Sequence, residues 1–462
     1  MKKVFSLFMG ALVLFVISCS KSTDTPAPVP PPPVGDTVNV FIRGIINASQ
    51  SWSKNKTYHL RGYVYVTNGA TITIEPGTKI ISNKDSAGVL VIYKGAKIVA
   101  DANADNPIVF TSGETSPAPG DLGGVILVGN ATGNGNHKVI EGGVDLQFSS
   151  FGGNNDADNS GTLRYVRIEY AGKAVNPGDE VNGLSLYGVG NGTTIDYVEV
   201  VRGLDDAFEF FGGAVNCKHL IAYNCADDDY DMDDGYHGKI QFAISVKDPG
   251  FTDNKGTTGD ISNNFEVDNV NPGNGLPFAQ APITYPTLSN FTAVGPNGAA
   301  NTSVDYGYGM RWRRGTRFIL ANSIVMGSQK AGLVIESDST ASYYKGASAA
   351  RFFNSFLNAV ANPFRVASLT VTPAILDSAS LANITTTTDS SVYYANAVDI
   401  QLNDPFNNSA PNLQPKAGSP VLTTAGKFSA GNLSDAFFTP TSYIGALDGT
   451  NDWTSRWAVW GK

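Results

Sequence analysis

The chain has 462 residues, with 32 Lys+Arg against 41 Asp+Glu, a formal charge of −9. That acid excess excludes nucleic-acid binding, which depends on Lys/Arg attraction to phosphate, and 42% apolar residues exclude global disorder. Charged residues are scarce at 16% and Gly is abundant at 50, which predicts β-structure joined by tight turns.

Lys2 and Lys3 precede an apolar run, Val4 to Ile17, of 14 residues. A bilayer span needs about 20, so the run reads as a signal-peptide core. It ends Val16-Ile17-Ser18-Cys19, which resembles the lipobox of bacterial lipoproteins. Residues 1–18 are then a signal peptide, and Cys19 carries the lipid that holds the protein at the outer membrane, on its periplasmic or surface face. The alternative is an ordinary secretory signal. Residues 19–37 contain Pro26, Pro28 and Pro30 to Pro33 and form an extended tether. No later stretch is long and apolar enough to span a membrane.

From residue 38 the chain repeats itself. Ile74–Ile80 recurs as Ile92–Ile98, 18 residues on. Thr162–Ile168 recurs as Thr194–Val200, 32 on, with an echo at Cys217–Leu220. Leu288-Ser289-Asn290, Leu320-Ala321-Asn322 and Phe352-Phe353-Asn354 stand 32 apart, twice running. Each segment alternates apolar and polar residues and ends at Gly or Asn, the pattern of a short strand. No long amphipathic helix intervenes. Short strands at such periods predict an all-β fold, a single-stranded right-handed parallel β-helix over 38–462, with rungs roughly 4.8 Å apart. A β-sandwich or propeller is the alternative. Asn290, Asn322 and Asn354 would form a hydrogen-bonded column. Cys217 and Cys225 flank one strand, too far apart to pair, and are expected as free buried thiols. Trp453, Trp457 and Trp460 are expected to cap the final coil, over about 440–462.

The stretches 69–77, 160–170, 205–213 and 227–236, with 443–446 and 452–454, resemble the right-handed parallel β-helix lipoproteins of the Bacteroidota. The resemblance covers roughly residues 40–462. It implies the fold and the export route and brings no catalytic motif.

Three coils align as Asn182–Gly188, Asp206–Gly212 and Asp228–Asp234. Leu184/Leu186, Phe208/Phe210 and Tyr230/Met232 then point inward. Ser185, Glu209 and Asp231 point outward, with Asp205 over Asp227 and Asp206 over Asp228. Carboxylates one rung apart repel by roughly 3 kcal/mol at an effective dielectric near 20. Three remedies exist. Calcium could sit among Asp205, Asp206, Glu209, Asp227, Asp228, Asp231 and Asp233. Arg311 and Arg313 of Met310–Arg314, with Arg202 and Lys239, could pair with the acids. Shared protons could serve a catalytic carboxylate site.

No catalytic residue is assigned; the candidates are Asp206, Asp228, His237 and Lys239. Asp205-Asp206 and Gly235–Lys239 weakly resemble the paired Asp and Gly-His-Gly of polygalacturonases, although Tyr236 breaks the triplet, and His237 also reads as a turn residue. Outward Tyr165, Tyr170, Tyr187, Tyr197 and Phe211 would stack on sugar rings or form an aromatic ladder. Tyr187, Phe211, Arg311 and Arg313 are the ligand-binding candidates. Phosphate loops and nucleophile elbows are absent. The expectation is a monomeric, lipid-anchored envelope protein that binds a polysaccharide or surface glycan without catalysis, with a calcium-stabilised acidic patch. A polysaccharide lyase or glycoside hydrolase, and a structural adhesin-like protein, are the alternatives.

Overall fold

The computed structural model describes residues 38–176, 179–253, 261–346, 350–429 and 431–462. The expected signal peptide, Cys19 and the expected tether lie outside them. Residues 38–462 form one compact unit, a parallel β-helix.

Its strands stack rung on rung in three columns. One column runs through Gly88–Ile92, Leu122–Val128, Leu184–Tyr187, Phe208–Phe211, Tyr230–Asp233, Phe265–Val267, Tyr308–Trp312 and Ala331–Glu336. The other two are the halves of long bent strands such as Gly161–Glu169, Thr194–Val201, Asn216–Tyr223, Lys239–Val246 and Thr287–Val294. Alternation drives this arrangement. One parity buries Leu184, Phe208, Tyr230 and Phe265 in a continuous interior, and the other faces out.

The bend in the long strands needs a left-handed residue. Tyr165, Tyr197, His219, Phe242, Asn290, Asn322 and Asn354 all have φ between 49° and 62°. For non-Gly residues this costs on the order of 1–2 kcal/mol each. Stacking offsets the cost. Tyr165–Tyr197, Tyr197–His219 and His219–Phe242 rings lie 4.3, 4.1 and 5.2 Å apart. Farther along the same corner the expected amide column forms only between its last two members: Asn354 Nδ2 donates to Asn322 Oδ1 at 2.8 Å, while Asn322 Nδ2 donates to Ser289 Oγ at 3.0 Å and Asn290 Nδ2 to Gly445 O at 3.1 Å.

Three expectations are corrected. The 18-residue echo does not join stacked rungs. There Ile72 pairs with Ile98, 26 residues on, and the echo reflects the same Gly turn, at Gly77 and Gly95, used at two corners. The Trp-rich tail does not cap the final coil. It runs back along the bend: Lys427 N donates to Asn322 Oδ1 at 2.8 Å, Asn290 Nδ2 donates to Gly445 O at 3.1 Å, and Trp457 packs edge-on against Tyr165 and Tyr197. The left-handed corner leaves a groove of rings and amides that an apolar, hydrogen-bonding tail fills. The C-terminal interior is closed instead by Tyr344 of helix Asp338–Lys345, by Leu376 and by Leu381 of helix Ser378–Asn383. The third correction is that Tyr165 and Tyr197 are half-buried under Trp457 rather than offered as an exposed ladder. Cys217 and Cys225 are free and buried, as expected.

Candidate functional site

The aligned rungs stack as the sequence register predicts. Ser185 sits beside Glu209, Glu209 beside Asp231, Asp231 beside Glu266 and Glu266 beside Arg311. At the preceding turn each side chain serves the next rung. Asp206 Oδ1 accepts from Asp228 N at 2.8 Å, Asp228 Oδ1 from Asn263 N at 2.5 Å, and Asn263 Oδ1 from Tyr308 N at 2.9 Å. These bonds hold the acids in file.

Carboxylate oxygens converge in three groups: Asp205, Asp206 and Asp227; Asp206, Glu209 and Asp231; and Asp228, Asp231 and Glu266. Within each group the oxygens lie within 4.8 Å of one another. Asp206 and Asp231 are each shared by two groups. Asp206, Glu209 and Asp228 are buried. The buried Oδ1 atoms of Asp231 and Asp233 have no hydrogen-bond partner. Burial pushes the Asp231 carboxyl well above the usual range, helped by Asp233, Glu209, Glu266 and Asp228. Asp206, Glu209 and Asp233 are pushed up for the same reason, burial first and acidic neighbours second. Glu209 accepts a hydrogen bond from Asn182 Nδ2.

The basic residues are spent further along the stack. Arg311 pairs with Glu266 at 3.0 Å and Glu336 at 3.4 Å. Arg313 pairs with Asp268 at 2.7 Å and with Glu266, and Arg314 with Asp268 at 2.5 Å. The proposed partners of these arginines therefore need correction. They neutralise Glu266, Asp268 and Glu336, acids the sequence reading passed over, and are not held free for a ligand. The signal for Glu266 and Asp268 was present. Phe265-Glu266-Val267-Asp268 repeats the pattern of Tyr230–Asp233, but a long insertion stretches the offset to 35 residues.

Lys239 and Arg202 do not pair with the column either. Lys239 binds Asp435 at 3.0 Å and Arg202 binds Asp248 at 2.7 Å, because each lies at the edge of a different column. His237 faces Asp156 at 3.3 Å and Gly235 O at 2.8 Å. The four catalytic candidates are thus not assembled: Asp206 and Asp228 join the stack, while His237 and Lys239 point elsewhere. Tyr187 and Phe211 are also corrected as exposed sugar platforms. They stack at 4.1 Å but are buried beneath Ile140, Val144 and Phe148, because the segment that follows Val128 folds back over them.

Two cations were invisible in the sequence. His137 Nδ1 lies 2.9 Å from Asp234 Oδ2 and its Nε2 lies 3.3 Å from Glu141. Asp233 gathers with this pair rather than with Asp231. Lys247 Nζ meets Asp229 Oδ1 at 3.0 Å in full burial.

The family described as pectate-lyase like beta helix domain matches residues 44–399. Among solved structures, the crystal structure of the Dettilon tailspike protein is similar at 14% identity with a TM-score of 0.24, and the match covers 62% of this chain and 62% of that one. No curated protein matches the chain.

Proposed function

The chain belongs to the pectate-lyase-like β-helix family, and from its buried carboxylate stack we propose that it is a calcium-bearing, non-catalytic glycan-binding protein held at the outer membrane through lipidated Cys19. The observation that carries this reading is the convergence of Asp206, Glu209 and Asp231, and of Asp228, Asp231 and Glu266. Oxygens only, several carboxylates and orphaned buried Oδ1 atoms suit a hard cation that takes six to eight oxygen ligands. Asp206, Glu209 and Asp231 would hold it, with Asp228 beside them, since Glu266 is already paired with Arg311 and Arg313. When bound, calcium would offset part of the repulsion between these carboxylates. The Lys2-Lys3, apolar run and Cys19 pattern supports the anchor.

Melting in EDTA and in calcium tests the metal. Calcium at a hundredfold excess over Kd stabilises by about 2.7 kcal/mol. That gain disappears in Asp231→Asn, which also melts higher than the parent in EDTA because one repelling charge is gone. Unchanged melting in EDTA with no metal detected refutes the calcium reading. A glycan array tests binding, and palmitate labelling of a Cys19→Ala variant tests the anchor.

A second reading, a polysaccharide lyase or hydrolase, draws on the raised carboxyls of Asp206 and Glu209, the condition a general acid needs. Turnover on a polysaccharide panel that is lost in Asp206→Asn and Asp228→Asn would favour it. An array without hits and a panel without turnover would leave the adhesin-like scaffold.

A further inference from the structure

We propose that the open first coil is a docking surface for an anionic phospholipid membrane. The inference deepens the anchoring half of the reading above, and its test uses unlipidated protein so that the two fail separately.

Strand Val38–Ile46 hydrogen-bonds to Lys56–Val66 and strand Gln50–Trp52 to Thr71–Ile74. On their other edges no strand follows among the described residues. Val38, Phe41 and Ile45 are 57, 57 and 55% exposed, and Val40 and Ile42 of the same strand are half-buried. A soluble protein normally blunts such an edge, since bare backbone and apolar side chains invite association.

Charge identifies the partner. Residues 38–100 carry eight Lys/Arg and two Asp/Glu, a net +6, in a chain whose total is −9. The acid excess therefore lies in the later coils. Arg43, Lys54, Lys56 and Arg61 of the first two rungs are all exposed, and the Arg61 guanidinium lies 4.9 Å over the Phe41 ring. Exposed apolar side chains on a basic coil match a membrane interface, where apolar groups enter the acyl boundary and Lys/Arg meet lipid phosphates. A second copy docked edge to edge would bring two such positive ends together and repel. The position in the chain agrees: Val38 follows Cys19 by 19 residues, so the basic end is also the end nearest the proposed lipid.

Vesicle sedimentation of residues 20–462, whose folded unit begins at Val38, tests the proposal. One arm uses phosphatidylcholine alone and the other adds about a third phosphatidylglycerol. The protein is expected to partition to the anionic vesicles, less so in high salt. Each Lys or Arg at an anionic surface contributes about fivefold, so Arg43→Glu with Arg61→Glu should weaken partitioning by tenfold or more. Phe41→Ser with Ile45→Ser should weaken it without changing the salt dependence. All four positions are exposed, and unchanged circular dichroism confirms the fold. Equal partitioning to both vesicle types, or no effect of the Glu pair, overturns the proposal. So does a concentration-dependent dimer in sedimentation velocity that the Ser pair abolishes, which would assign the edge to a second copy.

Discussion

Glutamine in place of His137 keeps the side chain's bulk and deletes a positive charge held between Asp234 and Glu141. Burial by itself would lower the imidazole pKa. The Asp234 hydrogen bond, with the charges of Asp234 and Glu141, outweighs burial and raises it from 6.5 to about 9. Holding a proton to about pH 9 instead of 6.5 corresponds to about 3 kcal/mol. The folded pKa lies above the unfolded one. The stabilisation is therefore complete below about pH 6.5 and is lost as pH rises through about 9. The assay is denaturant unfolding, followed by Trp fluorescence in EDTA, across that window. At mildly acidic pH His137→Gln should be less stable than the parent by about 3 kcal/mol, and the gap should narrow to the packing loss alone near pH 10. His137 also packs edge-on against Phe211 at 5.2 Å, so a constant packing loss adds to both ends of the curve. Parallel curves from pH 6 to 10 would refute the charged-imidazole argument and leave only packing.

Two further outcomes concern burial. Lys247→Met should cost about 3–5 kcal/mol at neutral pH, because it strands the fully buried Asp229 carboxylate. Burial raises the Asp229 pKa to about 6 even with Lys247 opposing it, so the penalty should shrink as pH falls below that value. The double variant Lys247→Met, Asp229→Asn should recover most of the loss, and chemical denaturation of the three variants decides. Trp457→Ala should cost about 3–5 kcal/mol, since Trp457 is fully buried against Tyr165 and Tyr197. No change in denaturation midpoint would mean that the tail adds nothing to the corner.

The rung register was legible in the sequence because it rests on local alternation. Phe208-Glu209-Phe210 and Tyr230-Asp231-Met232 each put one parity inside, and a one-residue slip would bury the acids in the core. The acidic file followed from that register, and the Asn322–Asn354 bond from the regular 32-residue spacing. Contacts that depend on long separations were not legible. The Trp457 tail meets Tyr165 from nearly three hundred residues away, and nothing local distinguishes a tail that caps an end from one that lines a flank. Lys247 and His137 were hidden for the same reason, as loop residues whose partners lie on other rungs. Parity told which residues leave the interior, and only the folded chain decided which of them water then reaches. Tyr187 and Phe211 leave the interior and are buried again by the segment above them, because the hydrophobic effect acts on whatever surface the whole molecule closes over.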